Sequence, residues 1–324
     1  MRNLLLGLTT LALATGALAT AAKADVILSG PTSHAGIYST ALLQEFATSN
    51  PTDDVSYNGF AGVSLWGLLG GSTGITTTTP PGDNSKNAIL RYYVIGSGGG
   101  SISVVSAGEI NPSFGGTQAT PTFIAYASNG TTLGQPELIV PGQAARDLGT
   151  LGSLVLTSVA AQPNGSGGPS STLTLSGEVA HPGAYDAAQL AALMPQSMVD
   201  VGGGTIYDGT PLVSFLDATG NITSAIVDAV GTDGYTVAFA LAEVDPAVGG
   251  NANDILAWGI NGEALTTNAV ARLIFANDNQ RGRWNSNLDL LQVTEVPEPA
   301  SAGILAAALC LLSLLRRHAR RQRA

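Results

Sequence analysis

The chain has a single cysteine among its 324 residues, Cys310, and it lies close to the C-terminus. That excludes an intrachain disulfide and a cysteine-held zinc site. Charge is scarce at 11% of residues, and positive charge is scarcer still. Arg2 and Lys23 stand at the N-terminus, and Arg316, Arg317, Arg320, Arg321 and Arg323 at the C-terminus. Between Asp25 and Pro299 there remain Lys86, Arg91, Arg146, Arg272, Arg281 and Arg283. All 23 acidic residues fall in that span, so six basic against 23 acidic groups give it a formal charge of −17. Such a surface repels nucleic acid and anionic lipid. The body has two histidines, His34 and His181, and no nucleophile–histidine–acid arrangement is legible around either. Each stands at a turn, where hydrogen bonding to nearby backbone is the ordinary role. The glycine runs at Gly96–Gly100 and Gly202–Gly204 precede no helix start, so they make no phosphate cradle. The Asn/Asp groups in "NANDIL" (Asn251–Leu256) and "FANDNQ" (Phe275–Gln280) read as turns rather than as a calcium loop. Against these absences stand 44% hydrophobic residues, 41 glycines and many β-branched runs, which favour strands and turns over long helices.

Both ends read as addresses. Arg2, the apolar stretch Leu4–Ala22 and the small-x-small pattern Ala22-Lys23-Ala24 form a secretory signal peptide, with cleavage expected after Ala24. At the other end Pro297-Glu298-Pro299 precedes the apolar run Ala300–Leu315 and an arginine cluster beginning at Arg316-Arg317. This order resembles the PEP-CTERM sorting signal of Gram-negative bacteria. The resemblance implies export through the inner membrane and a transient C-terminal transmembrane helix with its arginines on the cytoplasmic side. It further implies handling by the sorting and processing machinery of that membrane, and release to the cell surface or an extracellular polysaccharide matrix. A permanent single-span anchor is the alternative, although the run is short of the roughly 20 residues of a full span.

Between the ends the sequence repeats itself. "LSGPTSHAGIYSTALLQEF" (Leu28–Phe46) matches "LSGEVAHPGAYDAAQLAAL" (Leu175–Leu193), and "FAGVSLWGLL" (Phe60–Leu69) matches "YDGTPLVSFL" (Tyr207–Leu216). Three further blocks follow in the same order. They pair Glu109 with Glu243, Asn129-Gly130 with Asn261-Gly262, and Arg146 with Arg281. The expected organisation is therefore a signal peptide at 1–24, a first domain at 25–160, a Gly/Pro/Ser linker at 161–171, a second domain at 172–294 and the sorting signal at 295–324. Each copy reads as a strand-rich α+β domain with two short helices. Asp186 and Gln189 form a capping box for one of them. Leu65/Leu68/Leu69 and Leu212/Phe215/Leu216 make an apolar stripe on the other. The stretch Gly70–Asn87 has the composition of an exposed insertion.

Taken together, the blocks of the second copy through "ARLIFANDNQRGRWNSNLDLLQV" (Ala271–Val293) resemble the molybdopterin-binding domain of sulfite-oxidase-type oxidoreductases; the first copy is a degenerate match. The resemblance implies that fold in tandem and makes molybdopterin the cofactor to consider. It also exposes a gap. In that family a cysteine thiolate binds molybdenum from the interval that is "MPQSMVDVGGGTIYDG" (Met194–Gly209) here, and neither copy has a cysteine there. Ser197 or Asp200 are the oxygen ligands available, a poor exchange for a soft metal. The candidate cofactor-binding residues are His181, Arg272, Arg281 and Arg283, the last two within "QRGRW" (Gln280–Trp284), which matches the family's Gly-Arg-Trp segment. No catalytic residue and no metal ligand is assigned. The expectation is a non-catalytic ligand- or partner-binding protein with no cofactor; a molybdopterin-dependent oxidoreductase with a non-cysteine ligand is the alternative.

Overall fold

The computed structural model describes residues 25–78, 87–115, 120–163, 165–265 and 270–297. The stretches read from the sequence as a signal peptide and, beyond Pro297, as a sorting signal, including Glu298, Pro299, Arg316 and Arg317, lie outside them, and Pro297 is exposed. No helix among the described residues is long and apolar enough to cross a membrane. The fold is α+β and strand-rich.

The first half contributes β1 (Asp25–Ser29), β2 (Gly36–Ser39), α1 (Thr40–Ser49), β3 (Asp54–Tyr57), β4 (Phe60–Ser64), α2 (Leu65–Leu68), α3 (Gly71–Gly74), β5 (Tyr92–Gly98), β6 (Ser101–Ser106), α4 (Ala107–Ile110), β7 (Phe123–Ser128), β8 (Thr131–Ile139) and β9 (Ser153–Ser158). The second contributes β10 (Leu173–Gly177), β11 (Gly183–Tyr185), α5 (Ala187–Ala191), β12 (Ser197–Asp200), β13 (Ile206–Pro211), α6 (Leu212–Leu216), β14 (Ala225–Gly231), β15 (Thr236–Ala240), β16 (Ile255–Ile260), β17 (Glu263–Ala264), β18 (Arg272–Ile274) and β19 (Leu288–Glu295). A five-stranded sheet in each half has the same order, β2-β1-β9-β5-β6 and β11-β10-β19-β14-β15. In each, the first strand of the half runs parallel to its last, β1 with β9 and β10 with β19. A second sheet in each half is antiparallel, β3-β4-β7-β8 and β12-β13-β16-β17, with β18 also paired to β16.

Local chemistry accounts for the matching elements. Asp186 and Gln189 cap α5 reciprocally, as their spacing predicts; Ser39 caps α1 through its side chain alone. Leu65, Leu68 and Leu69 are fully buried beneath α2, and Leu212, Phe215 and Leu216 are buried at α6. Asn129-Gly130 and Asn261-Gly262 both take positive φ, the conformation of the tight hairpin turns they make. β4 and β13 carry a bulge at the same place, before Gly62 and Gly209. A Cβ on Gly62 would run into the Ile124 carbonyl, and one on Gly209 into the Leu256 carbonyl. The glycines let the neighbouring strand close at the bend.

Two stretches expected to be loose are tied down. Within Gly70–Asn87, Ile75 is buried and bridges to Thr32, and the Thr78 N–H donates to the Tyr92 hydroxyl at 2.9 Å. One apolar side chain and several hydrogen bonds, among them Thr76 N–H to the Pro31 carbonyl and Arg91 Nη2 to the Thr78 carbonyl, anchor the described part of a stretch whose other described residues are largely exposed. The linker 161–171 runs along the second half. Thr232 Oγ1 donates to the Gly168 carbonyl at 2.7 Å, and Ser170 Oγ to that of Leu288 at 2.8 Å.

The halves meet sheet to sheet. Ile102 and Val104 of β6 pack with Ile226 of β14, Ala238 and Ala240 of β15 and Val296, with Tyr93 and Ile95 of β5 beside them. Small alanines on β15 let the sheets approach closely.

Candidate functional site

At one end of this seam the chain places its most deeply buried charges. Each half closes a 3₁₀ turn on an arginine: Ala144–Arg146 in the first, Arg281–Arg283 in the second. Arg146 is fully buried and forks onto Glu109 of α4, Nη1 to Oε1 at 2.5 Å and Nη2 to Oε2 at 2.9 Å. It also donates to Gln143 Oε1 at 2.7 Å and to the Val104 carbonyl at 2.5 Å. Arg283 donates from Nη1 to Glu243 Oε1 at 2.8 Å and forks onto Asp278, Nε to Oδ2 at 2.9 Å and Nη2 to Oδ1 at 2.6 Å. Its guanidinium carbon lies 4.1 Å from the centre of the Phe275 ring. Charge-assisted, two-pronged bonds of this kind hold a guanidinium in one orientation.

The two pairs lock across the halves. Ser106 Oγ donates to Glu243 Oε2 at 3.1 Å while accepting from the Glu109 N–H that it caps. A Cβ on Gly108 would collide with the Arg283 side chain, so the glycine gives that side chain its room. The Asn279 N–H reaches the Phe114 carbonyl at 2.9 Å, and Asn87 Nδ2 the Tyr235 hydroxyl at 3.1 Å. A polar cavity of about 270 Å³ opens here, lined by Glu109 from the first half and by Glu243, Asn251, Asp254, Asp278 and Arg283 from the second.

The electrostatics follow from burial. Desolvation works against the charge on Arg283, but Glu243 and Asp278 outweigh it and hold the guanidinium above its usual range. The same contest at Arg146 is won by Glu109. Burial pushes Glu243 well above the usual carboxylate range, with Arg283 opposing and Glu109 adding to the push. Burial also raises Asp254 to about 7, against Arg283 and the Ala276 N–H that its Oδ1 accepts. The cavity wall therefore presents four carboxyl groups and one guanidinium already committed to two of them.

The candidate binding residues divide. Arg272 and Arg281 come together around Trp284, their guanidinium carbons 5.9 and 4.9 Å from its ring centre. Arg272 is half-buried and donates to the Tyr207 hydroxyl at 3.0 Å. Burial and the neighbouring Arg281 lower its pKa, with Tyr207 opposing. Arg283 turns the other way, into the junction. His181 stands apart, exposed, with Nε2 3.6 Å from Asp217 Oδ2 at the end of α6. Its counterpart His34 is half-buried, with Nδ1 3.2 Å from the Leu68 carbonyl oxygen. In both turns the tyrosine four residues on donates to the histidine carbonyl, at 2.6 Å from Tyr38 and 2.7 Å from Tyr185.

The pairing of Arg146 with Arg281 expected from the sequence blocks is shifted by two residues in the structure. Ile139 and Ile274 hold equivalent places in β8 and β18, but Arg146 follows the first by seven positions and Arg283 the second by nine. The buried, glutamate-paired arginine of the second half is thus Arg283, and Arg281 is the exposed one before it. Glu109 and Glu243 were visible as a matching pair in the sequence; that they face these arginines was not. Asp254 and Asp278 carried no signal beyond their turns.

A molybdopterin cofactor finds a poor set of donors. The described residues hold no thiol. In the interval where the resemblance puts the metal-binding cysteine, Ser197 is a strand residue opposite Gly209, and Asp200 Oδ1 accepts from the Gly202 N–H of its own turn at 2.8 Å. Among the described residues no group of three or more His, Asp or Glu side chains is arranged to hold a metal ion. The residues present do not fit the group.

No family model matches the chain, and no curated protein matches it. Among solved structures, the sulfane dehydrogenase SoxCD from Paracoccus pantotrophus is similar at 18% identity and a TM-score of 0.31, over 43% of this chain and 43% of that one. The chain spans less than half the length of that structure, and a likeness of this depth fixes neither cofactor nor reaction.

Proposed function

We propose that the chain is an exported, surface- or matrix-sorted protein whose body is a non-catalytic binding module, two degenerate domains of the molybdopterin-oxidoreductase kind fused in tandem. The observation that carries the reading is the fate of the Gly-Arg-Trp arginine. Arg283 is spent on Glu243 and Asp278 inside the junction, and Trp284 is buried with Nε1 donating to the Phe275 carbonyl at 3.0 Å. Residues that would greet an anionic cofactor instead hold the halves together. Arg272 and Arg281 remain as the basic face for an anionic group of a ligand or partner. The equal strand order of the two five-stranded sheets supports the tandem reading, and the flanking signal peptide and Pro-Glu-Pro tail support the route to the surface.

The experiment is metal and pterin analysis of the full chain produced in a host that makes molybdopterin. The expected result is a folded protein with less than about a tenth of an equivalent of molybdenum, in keeping with the absence of a soft ligand. Stoichiometric molybdenum would overturn the reading in favour of an oxidoreductase with an oxygen ligand.

A further inference from the structure

The seam between the halves contains one group that its surroundings do not explain. Asp228 lies in β14 on the same face as Ile226, which packs against the first half. Its ladder partners are Ala238 on β15 and Gln292 on β19, neither of which titrates. From the first half it is faced by Tyr93 of β5 and by Arg91 of the preceding turn, both within electrostatic reach. Its Oδ1 is buried and has no hydrogen-bond partner. The equivalent position in the first sheet is Ile95, which pairs with Val104 on β6 and Val155 on β9. The fold therefore accepts an aliphatic side chain at this point, and the second half has a carboxyl group there instead.

We propose that Asp228 is a pH-sensitive latch on the seam: neutral, it lets the two five-stranded sheets close on each other, and ionised, it draws water between them and weakens the grip of one half on the other. Asp228 is half-buried and its Oδ1 meets no donor in the seam, so on ionisation that oxygen is left to recover its hydration from water. Burial raises the Asp228 carboxyl to about 7, with Arg91 opposing, and burial and Asp228 in turn raise the Tyr93 phenol. Because the folded value lies above the unfolded one, the contribution is complete below about pH 4 and is lost as pH rises through 7.

Hydrogen exchange of the β6 and β15 amides in the full chain, corrected for intrinsic rates, reads the seam directly. Between pH 5 and 8.5 the opening equilibrium of these amides should rise by at most about a hundredfold in the unsubstituted chain. Asp228→Asn should flatten that rise, and so should Asp228→Ile, which installs the first half's residue type. Asp254→Asn, which removes the other carboxyl raised to about 7, should leave it in place. The proposal is overturned if either Asp228 variant follows the unsubstituted chain, or if that chain shows no rise.

Discussion

Replacing Arg146 with alanine should lower the melting temperature by about 6–20 °C. The substitution removes a fully buried cation and leaves Glu109, Gln143 and the Val104 carbonyl without their donor. Stranding one member of a buried ion pair costs about 3–5 kcal/mol, and a body of this size loses about 2–4 °C per kcal/mol. The loss comes from the stranded partner more than from the missing bond, so the Arg146→Met, Glu109→Leu double variant should recover much of it. A thermal melt of the four chains in this cycle measures the coupling. A change below about 2 °C for Arg146→Ala would mean that water or rearrangement satisfies Glu109 and that the junction is not the rigid element described.

The second large effect is on pH. Asp254 is 4% exposed and its carboxyl is raised from 3.8 to about 7, chiefly by burial. A carboxyl group whose folded value exceeds its unfolded value binds its proton more tightly in the fold, so stability falls as pH rises between those values and is level above the higher. Over pH 5 to 8 this amounts to up to about 3 kcal/mol. Asp254→Asn keeps an oxygen to accept the Ala276 N–H and the Asn251 amide while removing the titration. Its advantage over the unsubstituted chain should therefore grow by up to about 3 kcal/mol between pH 5 and pH 8. Urea unfolding at the two pH values checks this, and equal losses in both chains would place the titration elsewhere.

Much of the fold could be read from local chemistry. Asp186 with Gln189, the two Asn-Gly pairs, and Gly62 with Gly209 each act through neighbours a few residues or one strand away. They appear in the structure where the matched blocks put them. The junction could not be read that way. Glu243 and Arg283 are 40 positions apart, and "QRGRW" is the same string whether its second arginine faces a ligand or the interior. What turns Arg283 inward is the room above Gly108, 175 positions earlier, together with the acids waiting there. Asp228 is similar: in "AIVDAVG" it shares a face with Ile226 and Val230, and nothing in the string shows that the first half's sheet packs on that face at Ile226. Ile75 and the linker contacts at Thr232 show the same limit at smaller scale. Composition reports what a segment prefers, not which neighbour will hold it.

The central claim is that the Gly-Arg-Trp arginine belongs to the junction and not to a ligand, and one melting curve bears on it most directly. Arg283→Gln leaves Glu243 and Asp278 facing each other across a buried gap. The full chain with that change should melt about 6–20 °C below the unsubstituted protein, with or without added phosphate. An Arg283→Gln chain as stable as its parent would contradict the account and return Arg283 to the list of residues free to bind an anion.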